Sequence, residues 1–335
     1  MKKSITIRDV ARAAGVSRQT VSRAFNDKGE ISPETKRHVL EVAEKLGYRP
    51  SHLARSLSIN RTNNVGIIVP DITYPFFARI VKGAEEVSFS AGYNLFLINT
   101  YVDGKKEIDA LDSLWDRRVD GAILYGSLLP DDKLGAYVER LKYTVLINCA
   151  VKDTTNDTLA TITVDDQMGA YKAVEKFIQL GRKNIAFLNG PRFSRSADLR
   201  LKGYQKCLQD HGIPVDDDIV LQDHYSIEHS YKSASSLIQI KPEIDAILAY
   251  NDDVALGTLN ACLDNGRTVP REIAIIGFDD SPLAAAVRPS LSSIRIGKRD
   301  LGRLAMTTLI AMIEGQSGIS RNQIIEPNLI LRNST

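Results

Sequence analysis

Several absences narrow what this 335-residue chain can be. Cysteine is scarce: Cys149, Cys207 and Cys262 are odd in number, far apart and set in apolar surroundings, so they fit reduced, partly buried thiols better than a disulfide framework. No paired spacing exists for a metal site, and none is expected. No apolar run approaches the roughly 18 residues that span a bilayer. The opening "MKKSITIRDV" turns polar and charged at once, so no signal peptide is expected and the protein is expected to stay in the cytoplasm. No G-x-G-x-x-G follows the first strand-like run and no G-x-x-x-x-G-K-[ST] occurs, which leaves nucleotide cofactors without support. The five histidines, His38, His52, His211, His224 and His229, avoid the strand ends, and "DHG" at His211 reads as a helix C-terminus. Asp252 with Asp253, and Asp279 with Asp280, are adjacent carboxylates that point differently, and Asp253 and Asp280 read as helix caps or surface groups. With no catalytic constellation, an enzyme is not expected.

What is present is ordinary in bulk and lopsided in charge. Hydrophobic residues make up 43% and charged residues 25%, as in a soluble globular protein, and the length suggests two or three structural units. Residues 1–61 hold 13 Lys and Arg against 6 Asp and Glu, a net of +7, so the overall +2 leaves −5 on the remainder. A basic head on an acidic body points to a polyanion, either nucleic acid or an anionic membrane surface.

Periodicity decides for nucleic acid. In "TIRDVARAAGVSRQTVSRAFND" the residues Ile7, Val10, Ala11 and Ala14 follow helical spacing, Gly15 stops the helix, and Ser17 is placed to cap a second one. That second helix turns Val21 and Ala24 inward and leaves Arg18, Gln19, Ser22 and Arg23 outside. A third helix follows in "ISPETKRHVLEVAEKLGYRP", capped at Ser32, with Pro33 at its first position and Val39, Leu40, Val42, Ala43 and Leu46 as its apolar side. The broad apolar face of a membrane helix is missing. Three short helices of this kind set the second into a major groove, where Arg18 suits guanine and Gln19 adenine, while Ser17, Thr20 and Ser22 suit phosphates. Arg18 and Arg23 could also be merely solvated.

From Val65 onward, apolar runs ("VGIIVP", "NLFLIN", "GAILYG", "TVLIN", "TITV", "NIAFLNG", "DAILAYN", "IAIIGFD") alternate with amphipathic helices, which predicts an α/β body of parallel sheets covered on both faces. Gly126, Gly190, Asn251, Gly277 and Asp279 are placed at the carboxyl ends of these strands, where open α/β sheets bind ligands.

Taken together, "TIRDVARAAGVSRQTVSRAFN", "ARSL", "VGIIVPDITYPFFARIVKGAEE", "GPRFSRSADLRLKGY", "NDDVALG" and "IGFDDSPLAAAVRPSLSSIR" resemble the lactose-repressor/galactose-repressor family over essentially the full length. The resemblance implies a helix-turn-helix head (1–49), a hinge segment (50–61) and a two-lobed, periplasmic-binding-protein-like core. Its first lobe would be 62–163 with 293–321, and its second 164–292 with 322–335. It implies a homodimeric transcription repressor on a pseudo-palindromic, double-stranded operator, controlled by a small effector, most naturally a carbohydrate, in the cleft between the lobes. An exported sugar receptor would share the body but not the basic head.

Residue by residue, the resemblance adds Thr6 to the DNA contacts named above. In "SHLARSLS" it makes Leu53, Ala54 and Leu57 one side of a hinge helix that forms on DNA, with Leu57 as the wedge in the minor groove and Arg55 near phosphates. In the cleft it assigns Arg200, the carboxylate Asp279 facing it, the amide Asn251, the aromatics Tyr225 and Phe76, and the loop residues Ser194 and Ser196. A polyol asks for such guanidinium and carboxylate groups and an aromatic face. Phe76 could also be core, and Arg200 a surface helix residue. Arg192 and Arg195 are unusual neighbours, fit either for an acidic effector or for solvent, and Ile296 stands where some sugar-responsive members carry a glutamine ligand.

Overall fold

Thr6 opens the first helix, α1 (Ile7–Ala13), donating its backbone N–H and its hydroxyl to Asp9 Oδ2 at 2.9 and 2.7 Å. The computed structural model describes residues 5–26, 31–48, 61–151, 157–222 and 226–335. Gly15, at φ +66°, turns the chain, and Ser17 caps α2 (Arg18–Asn26), its Oγ accepting the Thr20 N–H at 3.0 Å. In α3 (Pro33–Leu46), Ser32 Oγ accepts the Thr35 N–H at 3.2 Å, and Gly47 ends the helix in the left-handed region. Val10, Val21 and Val39 are fully buried among Ala11, Ala14, Ala24 and Ala43, and Phe25 meets Tyr48 edge-on with ring centroids 5.7 Å apart. Leu40 and Leu46, expected on the apolar side of α3, are each 37% exposed. Leu40 is turned about 100° from Val39, Leu46 stands in the last turn, and so small a head covers only a narrow stripe.

The chain divides into two compact units, Met1–Asn63 and Asn64–Thr335. In the second, β1 (Asn64–Val69), α4 (Pro75–Ser90), β2 (Asn94–Asn99), α5 (Gly104–Asp116), β3 (Gly121–Tyr125), α6 (Asp131–Arg140), β4 (Thr144–Ile147) and β5 (Leu159–Val164) build one lobe. The other lobe follows with α7 (Asp166–Gln179), β6 (Ile185–Leu188), α8 (Arg195–Asp210), β7 (Val220–Leu221), α9 (Ile227–Ile240), β8 (Ala246–Ala249), α10 (Asp252–Asp264), β9 (Ala274–Asp279), α11 (Pro282–Ala286) and β10 (Ser292–Arg295). Then α12 (Lys298–Glu314) returns to the first lobe against α4, followed by β11 (Asn322–Ile325) and β12 (Asn328–Ile330).

The first sheet runs β11-β5-β4-β3-β1-β2 and is parallel throughout, and the second runs β12-β10-β9-β8-β6-β7, parallel except for β10 with β12. The central runs are buried as expected; β2 is not, because it is an edge strand, with Phe96 36% and Leu97 40% exposed. Strand pairing also moves two expected lobe boundaries. Ser292–Arg295 belongs to the second sheet, so the return to the first lobe follows Arg295 and not residue 292. Asn322–Ile325 pairs with β5, so the last crossing lies beyond Ile325 and not at 321.

Helices α4 and α12 touch backbone to backbone. A Cβ at Gly302 would lie 1.9 Å from the Ile80 carbonyl oxygen, and one at Gly83 2.0 Å from that of Arg299, so only glycine permits the approach. All three cysteines are free and buried, and burial pushes each thiol up to about 12. Among the described residues no helix is long and apolar enough to cross a membrane.

Candidate functional site

Two surfaces carry the expected functional residues, one on each unit. On the head, Thr6, Ser17, Arg18 and Gln19 are exposed, and Thr20, Ser22 and Arg23 are half-buried. Val21 and Ala24, on the opposite side of α2, fill the core. The helix thus offers its N-terminal turn outward, with Ser17 Oγ and Thr20 Oγ1 2.9 Å apart. Leu53, Ala54, Arg55 and Leu57 lie outside the described residues.

On the second unit, the carboxyl ends of both sheets face one another. Arg200, on α8 and 4% exposed, donates from Nε and Nη2 to Asp166 Oδ1, each at 2.8 Å, and from Nη1 to the carbonyl of Tyr250. Its guanidinium carbon sits 3.8 Å from the Phe278 ring centroid and 4.8 Å from that of Tyr250. Burial opposes its charge, but Asp166, Tyr250 and Asp279 outweigh that and hold the guanidinium ionised. Asp166 is wholly buried, and among the described residues its Oδ2 has no hydrogen-bond partner.

Asp279 ends β9 at φ +93°, a strained backbone for a residue with a side chain, and is nearly buried. Burial raises its carboxyl, while the charges of Arg200 and Lys298 pull it back. Lys298, at the start of α12 and three residues past Arg295, donates its ammonium to the Asp279 carbonyl at the crossover. Burial lowers the Lys298 ammonium, against Asp279, Asp252 and Asp280, which favour its charge. A second bridge joins Asn251 Nδ2 to Tyr74 Oη, and Asp253 also bonds to Tyr74. Between these groups lies a cavity of about 30 Å³ bounded by Tyr74, Phe76, Arg79, Asp253, Asp279 and Lys298, room for one or two water molecules.

The expected cleft residues fare differently. Arg200, Asn251 and Asp279 gather at the strand ends, and Arg200 is no surface residue. Phe76 is buried yet lines the cavity, edge-on to Phe77 and Tyr125 at 5.2 and 5.7 Å. Ser194 caps α8 and bonds to Tyr250 Oη at 3.1 Å, while Ser196 is half-buried. Tyr225 lies outside the described residues. Arg192 and Arg195 are exposed, and Ile296 is buried.

Two sequence expectations need correction. Asp253 and Asp280 are not caps: Asn251 caps α10, its Oδ1 accepting the Val254 N–H at 2.9 Å, and Ser281 stands at the cap of α11. Asp253 lines the cavity, and Asp280 is held by Arg295 at 2.5 Å and by Arg332. Gly277 falls inside β9, where a Cβ would lie 2.6 Å from Asp252 Oδ1. That carboxylate accepts from Ser293 Oγ at 2.6 Å and from the Ser281 N–H at 2.5 Å, and burial, then the charge of Asp279, push it up to about 7.

Sequence reasoning missed Tyr74, Asp166, Tyr250 and Lys298. Asp166 follows "TITV" where the chain changes lobes, and Lys298 ends "RIGK" two residues past the position inspected for a glutamine. Those crossovers were the available signal.

Known proteins share this pattern. A family model described as bacterial regulatory proteins, lacI family, matches residues 6–51, and one described as a periplasmic binding protein-like domain matches residues 174–335. The HTH-type transcriptional regulator RegA of Clostridium saccharobutylicum is 35% identical over 331 residues, covering 98% of this chain and 99% of that protein. The Lac repressor dimer bound to operator and the anti-inducer ONPF aligns with a TM-score of 0.85 at 26% identity, over 99% of each chain. A complex of the transcriptional regulator CelR with cellobiose aligns with a TM-score of 0.73 at 27% identity, over 99% of this chain and 100% of that one.

Proposed function

The chain belongs to the lacI family of bacterial regulatory proteins and is a DNA-binding transcriptional regulator, not an enzyme; we propose that it is a repressor whose hold on an operator is set by a small carbohydrate bound between the two lobes. The observation that carries this proposal is the buried Arg200. Clamped between Phe278 and Tyr250 and bonded to Asp166 where the chain passes between the lobes, it gathers a guanidinium, a carboxylate and aromatic rings, the groups of which polyol sites are built. The likeness to a cellobiose-bound regulator supports the same ligand class.

A cavity of about 30 Å³ does not admit a sugar, so on this reading binding parts the lobes and loosens the Tyr74–Asn251 bond between them. A ligand that binds one lobe arrangement better than the other shifts their populations, which is what control of DNA affinity requires. By likeness to the operator-bound Lac repressor dimer, the protein works as a homodimer on a pseudo-palindromic duplex, with Ser17, Arg18 and Gln19 of each α2 at the bases or phosphates. It would act where bacterial DNA lies, in the cytoplasm.

The test joins two measurements on the full chain. Selection from random duplexes is expected to enrich a two-fold-symmetric site. A thermal-shift screen of sugars, sugar phosphates, nucleosides and purines is expected to return a carbohydrate, since a ligand at 100 times its Kd stabilises by about 2.7 kcal/mol. Enrichment of no symmetric site, or a response to purines alone, would refute the proposal.

A further inference from the structure

Taking the cleft as the effector site, as proposed above, we infer that Asp166 is a specificity-determining residue: its carboxylate oxygen Oδ2 accepts a hydrogen bond from the effector, so the site selects a neutral or amino-substituted carbohydrate and rejects a phosphorylated or carboxylated one. Asp166 is the first residue of α7, directly after the chain leaves β5 of the other lobe. One oxygen is fully engaged by Arg200, while Oδ2 is buried with no partner among the described residues. A buried acceptor without a donor is costly, and a ligand hydroxyl or amine in reach recovers that cost. Asp166 stands at the crossover between the lobes, and its partner Arg200 joins it to Tyr250 and Phe278 at the strand ends of the second sheet.

The charges around it agree. Each buried cation already has an oxygen partner: Arg200 holds Asp166 and the Tyr250 carbonyl, and Lys298 holds the carbonyls of Asp279 and Asp280. Arg79, on the cavity wall, and Arg192 and Arg195 are exposed, where solvent and salt weaken their pull. Against them stand Asp166, Asp279, Asp252 and Asp253, the first three buried. An anionic group would enter beside carboxylates in a low-dielectric space, where like charges repel strongly. A hydroxyl or an ammonium would instead meet an acceptor that is waiting for it.

The experiment is titration calorimetry on the full chain with D-glucose, D-ribose, cellobiose and D-glucosamine, set against glucose 6-phosphate, ribose 5-phosphate and gluconate. A neutral or amino sugar is expected to bind, with its anionic counterpart weaker by about a hundredfold or more. Asp166→Asn is expected to lower affinity for the bound sugar by roughly 10- to 100-fold. The deoxy derivative lacking the contacted hydroxyl should bind wild type and variant alike. If Asp166→Asn fails to fold, the wild-type comparison of neutral and anionic ligands still decides. Preferential binding of a sugar phosphate or sugar acid would overturn the inference and leave the effector site standing. A folded Asp166→Asn with wild-type affinity would overturn it too. Binding of no compound in the panel would overturn both the inference and the carbohydrate site on which it rests.

Discussion

Lys298, the first residue of α12 and three residues past the Arg295 that pairs with Asp279, donates its ammonium to the backbone carbonyl of Asp279 where the chain passes between the lobes. With the bond from Asn251 to Tyr74, it forms the pair of bridges that hold the cavity small. Tyr74, Asp279 and Lys298 line that cavity, so a ligand in the proposed site would meet both contacts.

Removing both bridges should favour opening. Lys298→Met combined with Tyr74→Phe keeps the bulk of each side chain and deletes its polar end. The double variant is expected to exchange amide hydrogens faster over residues 75–80 and 252–256 without loss of global unfolding midpoint. Exchange unchanged from wild type would show that the bridges do not hold the lobes together.

The Arg200–Asp166 pair is a different case, because breaking it strands a buried charge. Arg200→Ala is expected to cost about 3–5 kcal/mol in urea unfolding, whereas Arg200→Met with Asp166→Leu should recover most of that loss. Equal destabilisation by the single and the double variant would show that the cost arises from packing and not from the unpaired carboxylate.

Asp252 links stability to pH. Its folded value of about 7 lies above the 3.8 of an ordinary aspartate, so the folded protein holds this proton more tightly than the unfolded chain. The contribution is full below about pH 4 and is lost as pH rises through 7, with a slope of up to about 1.4 kcal/mol per pH unit. Asp252→Asn is expected to remove that slope, so that the stability gap between variant and wild type shifts in the variant's favour from pH 5 to pH 8. A gap independent of pH would mean that Asp252 is ionised throughout.

On the head, Arg18→Ala is expected to cost about 1–3 kcal/mol on the selected operator and to relax preference at one base pair per half-site. Competition binding with single-base operator variants reads this directly. An equal loss on every sequence would assign Arg18 to phosphate.

The parts legible in the sequence are those set by local chemistry. Ser17, Ser32 with Pro33, Gly15 and Gly47 mark helix ends within a few residues, and Ile7, Val10, Ala11 and Ala14 mark the first helix by their spacing, so all three head helices could be placed. The apolar strands were equally plain, whereas β10 to β12 (SSIR, NQII, NLI) carry polar residues, and their partners come from remote segments: Asn322 pairs with Thr161, and Leu329 with Ile294. Arg200, Asn251 and Asp279 were reached through their motifs. Tyr74 and Lys298 were not, because each acquires its meaning from a contact made only in the folded chain; Tyr74 and Asn251 are 177 positions apart. Asp166 escaped because a carboxylate after a strand looks like a cap, and only the packed structure reveals that Arg200 takes one oxygen and leaves the other.

The most direct test is operator affinity by fluorescence anisotropy at fixed salt, with and without a saturating concentration of the sugar that binds. Wild type is expected to change its Kd for operator by about tenfold or more, and Arg200→Met to keep its sugar-free affinity while losing the response. Saturating sugar that leaves the wild-type Kd unchanged would contradict control of DNA binding by the cleft.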